Sequence, residues 1–272
     1  MKRILCAAVL FVCLGSADLL ANDQIFLARS DDGVQWMVEA QPRFEDASAP
    51  EILVRKNGQF LLYWSDSSGI AYSVSKDGWK WSTPARVKIQ NSNGAYLTDP
   101  SVMELGRGKL RLFYYVKASS GPDTVIHKIK SAVSKGSESE FMEEKGVRFT
   151  APGIADPDVI QRRDRAWIMY LAMADTNKVL IAKSKDGLSF KDTGVRIDGA
   201  GIPSAVVLGD GRIRLFGNRS GGIISFISKD GLSFQKEPGM RIRQMSGTKV
   251  IADPSVTRTK DGKWVMAFKR RA

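Results

Sequence analysis

The chain has 272 residues, 43% of them hydrophobic, and carries 41 Lys and Arg against 29 Asp and Glu, a formal charge of +12. That length and apolar content can bury one large core, and a single all-β domain of this size is ordinary. Two cysteines, Cys6 and Cys13, both lie near the N-terminus, and His127 is the lone histidine. No disulfide, cysteine nucleophile, Cys-ligated metal or His-based metal site is therefore expected in the rest of the chain.

Residues 1 to 21 read as a secretory leader. Lys2 and Arg3 give a short basic start, and Ile4 to Leu14 is an apolar run too short to span a bilayer. Gly15-Ser16-Ala17 or Leu19-Leu20-Ala21 supplies a small-residue cleavage site. A secreted or periplasmic protein is expected, with residues 22–272 as one domain. Bulky Val12 before Cys13 fits lipoprotein processing poorly. Without the leader, 39 basic and 28 acidic residues remain, or +11. Such a surface favours acidic polymers such as polyanionic glycans or an anionic envelope. The basic residues are scattered, with no long Lys/Arg run and no recognition helix, so no specific nucleic-acid partner is expected. Nor is a transmembrane segment expected after the leader, and the predicted state is a monomer.

From Ala49 onward the chain repeats itself at a period of roughly 50 residues. Five segments open the copies: Ala49-Pro50-Glu51-Ile52, Thr98-Asp99-Pro100-Ser101-Val102, Ala155-Asp156-Pro157-Asp158-Val159, Gly201-Ile202-Pro203-Ser204-Ala205 and Ala252-Asp253-Pro254-Ser255-Val256. Each leads across a polar turn into an apolar, aromatic strand, such as Gln59 to Trp64, Leu110 to Tyr115 or Lys263 to Phe268. Their β-branched and aromatic content suits half-buried antiparallel strands. The aromatics Trp64, Tyr114, Tyr115, Tyr170 and Trp264 alternate as core residues would.

A second motif follows, Ser-x-Asp-Gly-x-x-aromatic, at Ser30 to Trp36, Ser75 to Trp81, Ser184 to Phe190 and Ser228 to Phe234, with a worn copy at Ser134 to Phe141. Asp-Gly between strands predicts a hairpin turn, because Gly accepts positive φ and Asp can bond its own turn backbone. The motif resembles the Asp box of sialidases and other propellers, where it is architectural. A third echo, Arg with an apolar neighbour, recurs at Arg43-Phe44, Arg86-Val87, Arg148-Phe149, Arg196-Ile197 and Arg241-Ile242, and is expected to pack blade on blade.

Four strands per copy, five copies, predict a five-bladed β-propeller of four-stranded antiparallel blades. The last copy ends at Ala272 after only two strands, and its missing half, Ile25 to Ala28, the Ser30 hairpin and Trp36-Met37-Val38, stands at the other end of the domain. N- and C-terminal strands are therefore expected to close the last blade together and remove the open edges. Ser119-Ser120-Gly121-Pro122-Asp123 and Ser137 to Lys145 read as loops of a degenerate blade. His127 reads as a surface strand residue without an orienting partner.

The innermost strand of each propeller blade starts near the axis, so equivalent opening positions converge there. The residue before each proline is Ala49, Asp99, Asp156, Ile202 and Asp253 in turn. Crowded carboxylates raise one another's pKa, which lets one serve as acid while another stays a base. Asp253, Asp99 and Asp156 are the catalytic candidates; Glu51, Asp158 and Ser204, just behind the prolines, are the substrate-binding candidates. An Asp-Pro step can equally cap a turn. No cofactor and no metal site are assigned, although a ring of carboxylates would also suit Ca²⁺.

These motifs resemble the five-bladed propeller glycoside hydrolases, the clan of arabinanases, xylosidases and fructosidases, and family 43 most of all. The resemblance implies that Asp253-Pro254 matches the base position, Ala49-Pro50-Glu51 the second blade, and Asp99-Pro100 the Asp that tunes and orients the acid. Where that family carries its general-acid Glu two residues before a proline, this chain has Ala155, with Asp156 adjoining Pro157. Either Asp156 or Asp158 serves as acid, or the protein binds sugar without cleaving it. The implied function is a secreted protein acting on or binding glycans, with inverting hydrolysis as its chemistry. The alternatives are a non-catalytic carbohydrate-binding or envelope-associated propeller, and a sialidase-like hydrolase.

Overall fold

In the computed structural model, residues 22–92, 96–121, 124–174 and 176–272 are described. The expected leader, with Cys6 and Cys13, lies outside them, as do Pro122 and Asp123. Strand after strand, the repeat pattern is realised as a five-bladed β-propeller. The first blade runs outward from the axis as Ser48–Val54, Phe60–Asp66, Gly69–Ser75 and Ala85–Arg86, and the second as Leu97–Glu104, Leu110–Gly121, Thr124–Ser134 and Glu140–Glu143. Ile154–Gln161, Trp167–Met173, Lys178–Ser184 and Lys191–Asp198 form the third; Pro203–Val207, Ile213–Arg219, Gly222–Ser228 and Phe234–Lys236 form the fourth. The fifth is closed as expected: Val250–Arg258 and Trp264–Arg271 from the C-terminus, then Asp23–Ser30 and Met37–Val38 from the N-terminus. Asp23–Ser30 pairs along its whole length with Trp264–Arg271, from Asp23 opposite Arg271 to Ser30 opposite Trp264.

The second strands are buried on both faces, since each blade lies between two others. Phe60 to Ser65 and Trp167 to Ala172 are buried without interruption, and Trp64, Tyr114, Tyr115, Tyr170 and Trp264 are all core. The apolar side chains gather into five clusters, one at each junction between neighbouring blades. Stability is thus distributed around the ring, and each junction needs both of its blades.

The four intact Ser-x-Asp-Gly turns repeat one hydrogen-bond pattern. At the third blade the Ser184 hydroxyl bonds Asp186 Oδ1 and accepts the Asp186 and Gly187 amides, while Asp186 Oδ1 accepts the amides of Leu188 and Ser189. The same bonds recur at Ser30, Ser75 and Ser228. Those amides hold the turn aspartates below the usual carboxylate range, Asp186 to about 2. A Cβ on Gly187, which has φ of 73°, would stand 2.7 Å from the Trp167 ring beneath the turn.

Three expectations are corrected. The apolar member of each Arg-apolar pair joins a junction cluster: Phe44 stacks on Trp64 with centroids 4.2 Å apart. Three of the arginines pair within their own blade, Arg86 with Asp66, Arg196 with Asp192 and Arg241 with Ser225. Of the repeated arginines Arg43 does cross between blades, donating to Trp79 O. Other bridges come from the second and third strands, where Arg214 donates to Asp32 O and Arg29 to Gly78 O, each on the next blade's turn. Ser119 to Gly121 and Glu140 to Glu143 are strand, not loop. A two-strand ribbon with 10 paired positions extends the second blade, and Lys88–Gln90 adds a parallel fifth strand at its edge.

Candidate functional site

At the axis, the residue after each opening proline forms a closed ring. Glu51 Oε1 accepts the Val102 amide, Ser101 Oγ the Val159 amide, and Asp158 Oδ2 the Ala205 amide. Ser204 Oγ then accepts the Val256 amide and Ser255 Oγ the Ile52 amide, at 2.9 and 2.8 Å. Every blade thereby receives one backbone N–H from the next, and no inner edge is left with an unpaired donor at this level. Glu51, Asp158 and Ser204 all belong to this ring, and Glu51 Oε2 also accepts the Ser255 hydroxyl at 2.7 Å.

Two residues earlier, just before the prolines, Ala49, Asp99, Asp156 and Asp253 share a left-handed backbone, with φ between 46° and 51°. The strand register slips at each of these four positions. A bulge there turns the side chain toward the axis. Ile202 does not follow, because a β-branched side chain is excluded from that conformation. In the fourth blade Gly201 takes the positive φ, 55°, and the ladder through Pro203–Val207 runs unbroken. Ala49 makes the backbone feature architectural; the three carboxylates placed on it are not required by the turn.

Asp99, Asp156 and Asp253 line one axial cavity together with Glu51, Asp158 and Ile202. Its volume is about 30 Å³, room for one water. Asp253 is only 3% exposed. Its Oδ2 lies 2.7 Å from Lys269 Nζ and accepts the Ala49 amide at 3.2 Å and the Ser48 hydroxyl at 3.3 Å. Its Oδ1 is buried with no hydrogen-bond partner among the described residues. Burial disfavours the Lys269 charge, but Asp253 and then Asp23 outweigh it and hold the ammonium above the usual lysine value.

Burial drives the other two carboxyls toward their protonated forms. Desolvation, and then the Asp253 charge, raises Asp99 to about 6 against the Thr98 hydroxyl, which lies 2.8 Å from its Oδ1. Desolvation with the charges of Asp99 and Asp253 raises Asp156 well above the ordinary value. Both side chains stay half-buried, so solvent still reaches them. In the ring below, desolvation lifts Glu51 to about 7 and, with the Glu51 charge, lifts Asp158 well up. The axis therefore sets Asp253 against a lysine and, beside it, carboxyls whose hold on a proton burial strengthens, an asymmetry that acid-base work can use.

Sequence reasoning missed Lys269 and Asp23. Lys269 ends the apolar run Trp264 to Phe268, at the place where the other second strands carry Ser65, Tyr115, Ala172 and Asn218. A basic residue directly abutting a buried apolar strand, followed by Arg270 and Arg271, was the available signal. Asp23, fully buried, binds Arg271 through both oxygens and stands 3.9 Å from Lys269. His127 is half-buried rather than on the surface and does have partners. Its Nδ1 is 2.8 Å from the Tyr115 hydroxyl and 3.1 Å from Ile154 O. Burial with the charges of Asp99 and Asp156 pushes the Tyr115 phenol up to about 12. As for Ca²⁺, among the described residues no three or more His, Cys, Asp or Glu are arranged to hold a metal ion. Lys269 takes the place beside Asp253 that a cation would need. No helix among them is long and apolar enough to cross a membrane.

No family model matches the sequence, and no curated protein does. Solved structures match over most of the chain. A thermostable family-43 glycoside hydrolase superposes with a TM-score of 0.62 at 16% identity, covering 82% of this chain and 89% of that one. The chain has the fold of the family-43 glycoside hydrolases. The chain is also similar to an endo-1,4-β-xylanase from Bacteroides thetaiotaomicron, with a TM-score of 0.59, 16% identity, and coverage of 80% and 82%. Xylan β-1,4-xylosidase from Bacillus halodurans gives a TM-score of 0.62 at 12% identity, covering 83% of this chain but 49% of that one. This chain thus corresponds to about half of that xylosidase.

Proposed function

We propose that this protein is a secreted or periplasmic glycoside hydrolase, monomeric, whose axial carboxylates hydrolyse a glycosidic bond with inversion. The observation that carries the reading is Asp253. It is a buried carboxylate with one oxygen against Lys269 and the other unpartnered, beside a cavity the size of one water. In this reading Asp253 is the general base and takes a proton from that water as it attacks the anomeric carbon. Asp156, raised by desolvation, is the general acid that protonates the leaving oxygen. Asp99 sits between them, its Oδ2 3.5 Å from the Asp156 amide, and tunes the acid. Glu51, Asp158 and Ser204 hold the blades in register beneath the substrate. The net charge of +11 left without the leader favours an acidic glycan.

The test is hydrolysis of chromogenic arabinofuranosides, xylosides and galactosides, with the anomer of the product followed by NMR. Activity with inversion, lost in Asp253→Asn while the fold persists, is the expected result; no turnover of any glycoside would sink the hydrolase reading. Ala155, where the resemblance asks for a glutamate, favours a second reading, a propeller that binds glycan without cleaving it. Retained binding without turnover would select that reading. A sialidase-type site would need an arginine triad at the axis, whereas Arg86, Arg196 and Arg241 are engaged on the outer strands.

A further inference from the structure

The face opposite the axial aspartates carries a groove between the closing blade and the first blade. The innermost strands begin at the axial carboxylates and run to the turns after Val54 and Arg258. The Ser-x-Asp-Gly hairpins return to this same face. The groove encloses about 990 Å³ and is lined by Trp79, Met37, Asp31, Lys260, Asp261 and Lys263, among others. A second depression of about 430 Å³ adjoins it and shares Arg29, Met37 and Trp79.

The chain's own repeats serve as the control for what the fold requires here. The residue after the turn glycine is Val34, Trp79, Leu188 and Leu232 in the four intact turns. A modest aliphatic group suffices for the turn, and only the first blade carries an indole. The residue after the motif aromatic is Met37, Ser82, Lys191 and Gln235, so the closing blade alone is apolar there. Trp79 is 53% exposed and Met37 78%, the two most exposed large hydrophobic side chains among the described residues. Both exceptions face the same groove from adjacent blades.

Trp79 is also held in place. The Arg29 guanidinium lies 3.7 Å from its ring centroid, donates to Gly78 O at 2.6 Å and pairs with Glu39 at 3.6 Å. Arg43 Nη1 donates to the Trp79 carbonyl at 3.1 Å. One face of the indole is thus covered by a fixed cation, which immobilises the ring before any ligand arrives. The charges along the groove balance: Lys260 and Lys263 stand against Asp31 and Asp261, with Asp31 and Lys263 3.7 Å apart. Asp32 and Asp77 are committed to their own turn amides.

We propose that this groove is a second binding site, separate from the axis, that holds an uncharged polysaccharide chain with a sugar ring stacked on Trp79. A pyranose or furanose presents an apolar C–H face to an aromatic plane and hydroxyls to flanking carboxylates and ammonium groups, the combination found here. A protein partner would want a contiguous buried patch of about 800 Å² per side, and two isolated apolar side chains between charges do not supply one. A polyanion would want uncompensated cations. Like the proposed function the inference concerns a glycan, but an uncharged one at this site, and it stands on different residues.

The experiment is affinity electrophoresis toward the cathode in gels containing soluble arabinoxylan, linear arabinan or mixed-linkage β-glucan. Wild-type protein, Trp79→Leu and Asp253→Asn are compared. Leu is what two sister turns carry, so Trp79→Leu keeps the turn and removes the platform; its unfolding midpoint should stay within about 3 °C of wild type. Retardation of wild type and Asp253→Asn by at least one polymer, weakened on the order of tenfold in Trp79→Leu, is the expected result. Equal retardation of Trp79→Leu, or no retardation of wild type by any of the three, overturns the site. Turnover of chromogenic glycosides without retardation would reject this groove and leave the axial reading intact. Retardation without turnover would do the reverse.

Discussion

Lys269 Nζ lies 2.7 Å from Asp253 Oδ2 at the axis, the lysine half-buried and the aspartate buried. The strand pairing that brings them together sets Lys269 opposite Ala252, one residue before the aspartate. Removing only the cation leaves a buried carboxylate with no counter-ion. Lys269→Met is therefore expected to cost about 3 kcal/mol, a fall of roughly 6–12 °C in the unfolding midpoint by calorimetry. The double variant with Asp253→Asn should recover part of that loss, because the stranded charge goes too. A midpoint unchanged by Lys269→Met would show that the pair carries no weight.

Stability should fall between about pH 5 and 8. Glu51 at about 7 and Asp99 at about 6 lie above the unfolded carboxylate values, and burial raises Asp156 and Asp158 as well. A group whose folded pKa is raised binds its proton more tightly in the native state. Its contribution is complete below the unfolded pKa and is lost as pH climbs through the folded one. The turn aspartates work in the other sense: Asp186, at about 2, contributes above the unfolded pKa and loses that contribution as pH falls through about 2. The midpoint is expected to peak near pH 5. Glu51→Gln, which mimics the protonated acid, should flatten the descent by on the order of 1 kcal/mol. A midpoint that rises steadily to pH 8 would contradict the assignment.

Gly187 and Gly194 separate conformational strain from collision. Their φ values are 73° and 76°. A Cβ on Gly187 would meet Trp167 at 2.7 Å, whereas nothing lies within 4 Å of one on Gly194. Gly194→Ala should lose about 1–2 kcal/mol, the cost of the left-handed backbone. Gly187→Ala adds displacement of a packed indole and should lose at least about 1 kcal/mol more. Equal losses in chemical denaturation would mean that the turn does not rest on Trp167 as described.

In the axial ring, Ser204→Ala strips the Val256 amide of its acceptor at a buried position. The expected loss is about 1–3 kcal/mol, with faster hydrogen exchange at Val256 and little change at amides of the outermost strands. Exchange that rises equally throughout would argue against a local role for the ring.

Much of this was legible in the residues. Five Pro-marked openings, four Ser-x-Asp-Gly turns and a final copy cut after two strands predict the blade number and the shared closing blade, because turn chemistry and strand periodicity are local. The convergence of Asp99, Asp156 and Asp253 followed from repeat equivalence. The extended ribbon of the second blade was misread as loop, since Ser119-Ser120-Gly121 looks like a breaker until its partner strand is known. Of the repeated arginines credited with bridging, Arg43 does bridge, whereas Arg86, Arg196 and Arg241 turn back onto their own blades, because a motif's period does not say which way a side chain points.

The architecture is written locally: turn preferences and alternating apolar strands, copied five times, leave a ring as the arrangement that buries every blade face. The character of the axis arises only once the ring has closed. Asp23 and Lys269 are 246 residues apart in number and meet because the two chain ends share one blade. The axial space shrinks to the size of a single water because five openings, four of them bulged, crowd it. Desolvation by that crowding, a property of all five blades at once, raises Asp99 and Asp156 while Asp253 is left facing a lysine.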